Sequence, residues 1–124
     1  MSKRETIPVG NTLNMLSSGT YVTGNIQSDE DIRIDGTIEG DLTCRGKVII
    51  GHTGRLKGNV KCSTIELMGA IEGNIKASEI TVLRSTAVMT GNIETEVLEV
   101  ESGAHIVCES IVTKINAAAT TMKD

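Results

Sequence analysis

A tripeptide of glycine, then asparagine or aspartate, then an aliphatic residue recurs along this chain at Gly24-Asn25-Ile26, Gly40-Asp41-Leu42, Gly58-Asn59-Val60, Gly73-Asn74-Ile75 and Gly91-Asn92-Ile93. Successive copies lie 16, 18, 15 and 18 residues apart. Self-similarity at so short a period means that one small unit is stacked repeatedly, each copy burying its apolar face against the next. It settles the architecture before any local propensity is weighed.

Each copy carries a second signature just upstream: Thr20-Tyr21-Val22-Thr23, Gly36-Thr37-Ile38-Glu39, Gly54-Arg55-Leu56-Lys57, Gly69-Ala70-Ile71-Glu72 and Ala87-Val88-Met89-Thr90. The third position is always aliphatic. A further column alternates with period two, at Ile32/Ile34, Val48/Ile50, Ile65/Leu67, Ile80/Val82 and Leu98/Val100, as β-branched residues do in short strands. Glycine recurs too often for helices to persist across residues 20–112. The spacing therefore predicts an all-β chain in which each repeat is one three-sided coil of a parallel β-helix, with five clear coils and a degenerate sixth near residues 103–115. At about 4.8 Å per coil the rod would be roughly 25–30 Å long.

Column chemistry supports that register. Gly-Asx pairs tolerate left-handed backbone, which a repeated corner needs. Ser28, Cys44, Cys62, Ala77 and Thr95 form a column of small residues suited to a tight inward-pointing position. In the column Glu39, Lys57, Glu72 and Thr90 the first three alternate in charge on neighbouring coils, each opposed pair contributing about 0.2–1 kcal/mol. Outside the rod, assigned to residues 19–113, residues 1–18 and 114–124 read as flexible tails.

Phe and Trp are absent and Tyr21 is the single aromatic residue, so aliphatic layers must build the core. The net charge of -4 and the absence of aromatic platforms argue against nucleic-acid binding. Cys44, Cys62 and Cys108 lack CxxC spacing and read as reduced thiols. His52 and His105, 53 residues apart, do not suggest a shared metal. Neither a dinucleotide fingerprint nor a phosphate loop occurs. No catalytic residue, cofactor or metal site is expected. Without a spanning or secretory segment, the expected compartment is the cytoplasm.

The segment Asp35-Gly36-Thr37-Ile38-Glu39-Gly40-Asp41-Leu42, the run Lys47-Val48-Ile49-Ile50-Gly51 and the recurring Gly-Asn-Ile units resemble the bactofilins, bacterial polymer-forming cytoskeletal proteins, over about residues 20–112. The resemblance implies a right-handed, three-sided β-helix that assembles into non-polar filaments without nucleotide. It also implies roles in cell shape or in placing cell-envelope proteins, and contact with the inner face of the cytoplasmic membrane. Where the family commonly carries a Phe near the C-terminal end, this chain offers Ile106, Ile111, Val112 and Ile115.

Polymerisation has an independent physical basis, because the end coils of a β-helix expose unpaired strand edges and an open apolar core unless capped. Neither tail reads as a cap. The expected contacts are Tyr21, Val22, Gly24 and Ile26 at one end and Ile106, Val107, Ile111, Val112 and Ile115 at the other. Lys3 and Arg4, with Leu13, Met15 and Leu16, form a sparse membrane-contact candidate whose plainer reading is a flexible tail.

Two other classes compete. A left-handed hexapeptide-repeat enzyme of the acyltransferase or carbonic-anhydrase kind has a foothold in the six-residue spacing of Ile26, Ile32, Ile38, Cys44, Ile50, Leu56 and Cys62, but that phase then meets polar Asn74. A non-polymerising adaptor would use the same flat faces to recruit partners.

Overall fold

The computed structural model describes residues 13–113 and 121–122, and its described part is strand and turn without helix. Thirteen strands follow in chain order: β1 (Leu13–Leu16), β2 (Tyr21–Thr23), β3 (Ile26–Ser28), β4 (Asp31–Ile34), β5 (Thr37–Glu39), β6 (Leu42–Cys44), β7 (Lys47–Ile50), β8 (Arg55–Lys57), β9 (Val60–Leu67), β10 (Ala70–Leu83), β11 (Val88–Val100), β12 (His105–Thr113) and β13 (Thr121–Met122). Every pairing is parallel and joins one coil to the next. The result is a β-solenoid of about six turns.

Three faces follow from the register. The first runs β2, β5, β8 and the opening segments of β10, β11 and β12. The second runs β3, β6, the start of β9, the middle of β10 and β11, and the end of β12. The third runs β1, β4, β7, the ends of β9, β10 and β11, and β13. Strands as long as β10 turn corners and serve all three.

Inside, each face contributes an aliphatic stack: Val22, Ile38, Leu56, Ile71, Met89 and Ile106 from the first; Ile26, Leu42, Val60, Ile75, Ile93 and Ile111 from the second; Leu16, Ile34, Ile50, Leu67, Leu83 and Val100 from the third. The interior members are fully buried, and the terminal ones are partly buried or exposed except Val100, which is buried. Side chains of one type stacked on fixed strand spacing fill a narrow core without aromatic rings.

The corner between the first and second faces explains the tripeptide. Gly40, Gly58, Gly73 and Gly91 have φ between +132° and +150°, and a Cβ on any of them would lie within about 2 Å of the preceding glycine's carbonyl oxygen. Beside this column runs a side-chain ladder. The Asn25 Oδ1 accepts from the Asp41 amide at 3.0 Å, Asp41 Oδ1 from the Asn59 amide at 2.9 Å, and Asn59 Oδ1 from the Asn74 amide at 3.1 Å. Asn92 repeats the contact with the Ser110 amide at 3.1 Å. Backbone donors that a sharp corner would leave open are thus satisfied by the coil before.

Two expectations need correction. The rod begins before residue 19: Leu13–Leu16 pairs with β4, and Leu16 O accepts from the Asp35 amide at 2.8 Å. Asn14 stands opposite Ile32, a polar residue in an aliphatic column, which hides the coil from a hydrophobic reading. Thr121–Met122, assigned to the C-terminal tail, pairs with Glu99–Val100.

The second correction is a frame. Ile80 and Val82 face outward, while Thr81 and Leu83 are fully buried. The register shifts between Ala77 and Ile80, where β10 spends one more residue than β9 on the same corner. A slip of one residue exchanges the faces of a strand. Leu83 takes its place between Leu67 and Val100, and Thr81 enters the core with its Oγ1 lacking a hydrogen-bond partner. Thr95, also buried, satisfies its hydroxyl on Val97 O at 3.1 Å. A buried unpaired hydroxyl costs about 1–3 kcal/mol, so Thr81→Val is expected to gain about 1–2 kcal/mol in urea unfolding. A loss of stability would show that the hydroxyl is being used.

Candidate functional site

The two ends of the rod are where its repeating chemistry stops. At one end β1, β2 and β3 each pair with a single strand, β4, β5 and β6 respectively. Their inward residues Leu16, Val22 and Ile26, one from each face, pack partly buried against the core and form an apolar plate. Gly24 continues the corner column here with φ +125°, and a Cβ on it would meet nothing within 4 Å. The space that every interior coil fills with its neighbour's backbone is open.

At the other end β12 pairs with β11 along two faces, and β13 covers part of the third. Ile106 and Ile111 are the inward residues; Ile111 is 44% exposed although its predecessor in the stack, Ile93, is buried. Ala104 and Cys108 pack beside them. Each end is therefore a cross-section of the core, the kind of surface that association would bury.

The expected contact residues divide accordingly. Val22, Ile26, Ile106 and Ile111 belong to the stacks and face their end plates. Tyr21, Val107 and Val112 instead point outward from the sides. Tyr21 lies 60% exposed, and the hydrogen bond and charge of Glu39 on the next coil push its phenol above the ordinary value. Leu16, grouped with the membrane-contact residues, belongs to the N-terminal plate. Its spacing of 18 residues before Ile34 was the available signal. Met15 faces outward and is 58% exposed. Lys3, Arg4 and Ile115 lie outside the described residues, as does the side chain of Leu13.

The sides differ in electrostatics. On the third face an ion-pair ladder crosses four coils: Lys47 Nζ to Glu66 Oε1 at 3.4 Å, Arg84 Nε to Glu66 Oε2 at 2.8 Å, and Arg84 Nη1 to Glu101 Oε2 at 2.8 Å. Glu101 also accepts from the Ser85 amide at 2.9 Å. Burial works to raise the Glu66 carboxyl, but the hydrogen bonds and charges of Arg84 and Lys47 outweigh it and hold it below the ordinary value. Arg33 and Asp35 pair at 2.9 Å on the same side. Such networks outlast isolated surface pairs because each charge meets more than one partner.

Side chains with catalytic potential are used structurally. Cys44 and Cys62 stack in the buried small-residue column as free thiols, and burial pushes Cys62 up to about 12, far from a reactive thiolate. The Thr86 hydroxyl donates to Met68 O at 2.7 Å, so at 3.3 Å from His52 Nδ1 it accepts, and the imidazole is held as a corner brace. His105 is exposed on the first face. Among the described residues, no three His, Cys, Asp or Glu side chains converge as metal ligands.

Known proteins show the same organisation. A family model described as Bactofilin, polymer-forming cytoskeletal, matches residues 14–110. The bactofilin BacO of Myxococcus xanthus is 26% identical over 102 residues, which cover 82% of this chain and 79% of that protein. Among solved structures, the cryo-EM reconstruction of Thermus thermophilus bactofilin double helical filaments matches with a TM-score of 0.76 and 31% identity, over 80% of this chain and 98% of that one.

Proposed function

Because the chain belongs to the bactofilin family of polymer-forming cytoskeletal proteins, we propose that its rods join end plate to end plate, without nucleotide, into a scaffolding filament. Like plates meet like, so the filament has no polarity, and two filaments pair along their sides as in the double helical filaments of the Thermus protein. The scaffold lies in the cytoplasm, supporting cell shape or the placement of cell-envelope proteins, and is non-enzymatic. Exposed Met15 supports an additional contact of the N-terminal segment with the inner face of the membrane.

One observation carries the reading: the aliphatic stacks end in open plates, Leu16, Val22 and Ile26 at one end and Ile106 and Ile111 at the other. Burying such plates supplies roughly 25 cal/mol per Å² of apolar area and needs no energy source. The purified chain, free of nucleotide and added metal, is expected to form thin filaments by negative-stain electron microscopy. A discrete trimer by light scattering would move the weight to the hexapeptide-enzyme class. A monodisperse monomer would move it to an adaptor.

A further inference from the structure

We propose that the third face of the rod, at the outward residues Ile80, Val82 and Val97, is the surface by which a second copy of the filament lies alongside the first. The proposal rests on the paired-filament reading above and assigns the pairing to one of three available sides.

The frame of β10 is the first argument. Ile80 and Val82 could have entered the core and left Thr81 in water, a choice their polarity favours. The strand instead buries the Thr81 hydroxyl without a partner and turns both β-branched residues outward. Val97 is the register partner of Ile80 on the next coil, so the three form one half-buried aliphatic patch. Ile49 extends it, separated by Glu66, which stands opposite both Ile49 and Val82. A local rule broken at a cost inside the core, with apolar surface gained outside, marks a surface that is used.

Charge is the second argument. Two copies of one face can pack closely when their charges are already neutralised within each copy, since unpaired like charges between copies are costly. Glu66 is tied to Lys47 and Arg84, and Arg33 to Asp35, on this side, while exposed Glu99, the register partner of Val82, is the charge beside the patch that a second copy would have to leave in water. The second face presents Lys61 beside Lys76 as register partners. The first presents Arg55 and Lys57 outward on one strand, with exposed Glu72 on the next coil. The first face also carries exposed Val88 and Val107 toward its C-terminal end, so the third face is singled out by its frame and its paired charges and not by apolar exposure.

Electron microscopy of the full chain tests the assignment with Ile80→Arg, Val97→Arg and, on the first face, Thr90→Arg. Wild type and Thr90→Arg are expected to form paired filaments, whereas the two third-face variants form single ones, the paired fraction falling by at least about tenfold. Cooperative melting checks that each variant is folded; Val97→Arg, on a different strand from the frame shift, decides the matter should Ile80→Arg fail to fold. Paired filaments in the third-face variants overturn the proposal, as do single filaments in wild type, which leave end-to-end stacking intact. Wild type that forms no filaments at all overturns the stacking reading and this inference with it.

Discussion

Gly73→Ala is expected to destabilise the rod by about 4 kcal/mol, whereas Gly24→Ala, the same substitution in the same column, costs about 2 kcal/mol. Both residues have positive φ, +146° and +125°, so both variants suffer backbone strain that L side chains rarely tolerate. What differs is the neighbouring coil. A Cβ on Gly73 would come within 1.8 Å of Gly58 O, and that oxygen cannot yield without opening the pairing of the coils, while a Cβ on Gly24 meets nothing within 4 Å. Urea midpoints measured on the two variants separate strain from close approach. Equal losses would show that the dihedral alone dictates glycine here.

The second large effect concerns assembly. Ile111→Arg is expected to abolish filaments and leave a folded monomer, because Ile111 is the last inward residue of its stack and 44% exposed, so an arginine there can reach water in the free rod. In a joined plate the same guanidinium would be buried against aliphatic side chains without a counter-charge, at a cost of about 3–5 kcal/mol. Ile93→Arg, one coil deeper and 1% exposed, is expected to unfold the chain instead. Sedimentation with electron microscopy distinguishes the three states. Unchanged filaments in Ile111→Arg would remove the C-terminal plate from the contact.

Much of this structure is readable along the chain because its contacts are nearly all between successive copies of one pattern. The columns Val22 to Met89 and Ile26 to Ile93, the glycine corner and the small-residue column were legible, since period-two alternation and Gly-Asx pairs translate directly into inward positions and corners. The frame of residues 80–83 was not. Hydrophobicity favours Ile80 and Val82, but the longer corner after Ala77 and the hold of Arg84 on Glu66 and Glu101 set the register from outside the strand. Those partners, 18 and 17 residues away, form no single column in the sequence, so the ladder Lys47, Glu66, Arg84 and Glu101 could be found only in three dimensions. The place of Leu16 in the end plate is hidden in the sequence because Asn14 interrupts the alternation beside it. Apolar character alone places Tyr21, Val107 and Val112 among the contacts, yet strand alternation sends them outward while Val22, Ile106 and Ile111 take the plates.

The Asn25, Asp41, Asn59 ladder ties each coil to the one before it and to nothing farther away. A barrel must close on a fixed number of strands. This corner keeps no such count, since a coil added in the middle of the chain would find the same acceptor oxygen on the coil before it and the same amide donor on the coil after it. Rod length is therefore a quantity that tandem duplication of a 15–18-residue segment could change in single steps. The segment from Ala77 to Leu83 is the exception: with its shifted frame and inward threonine, it is the one unit that could not be copied without carrying its irregularity into the new position.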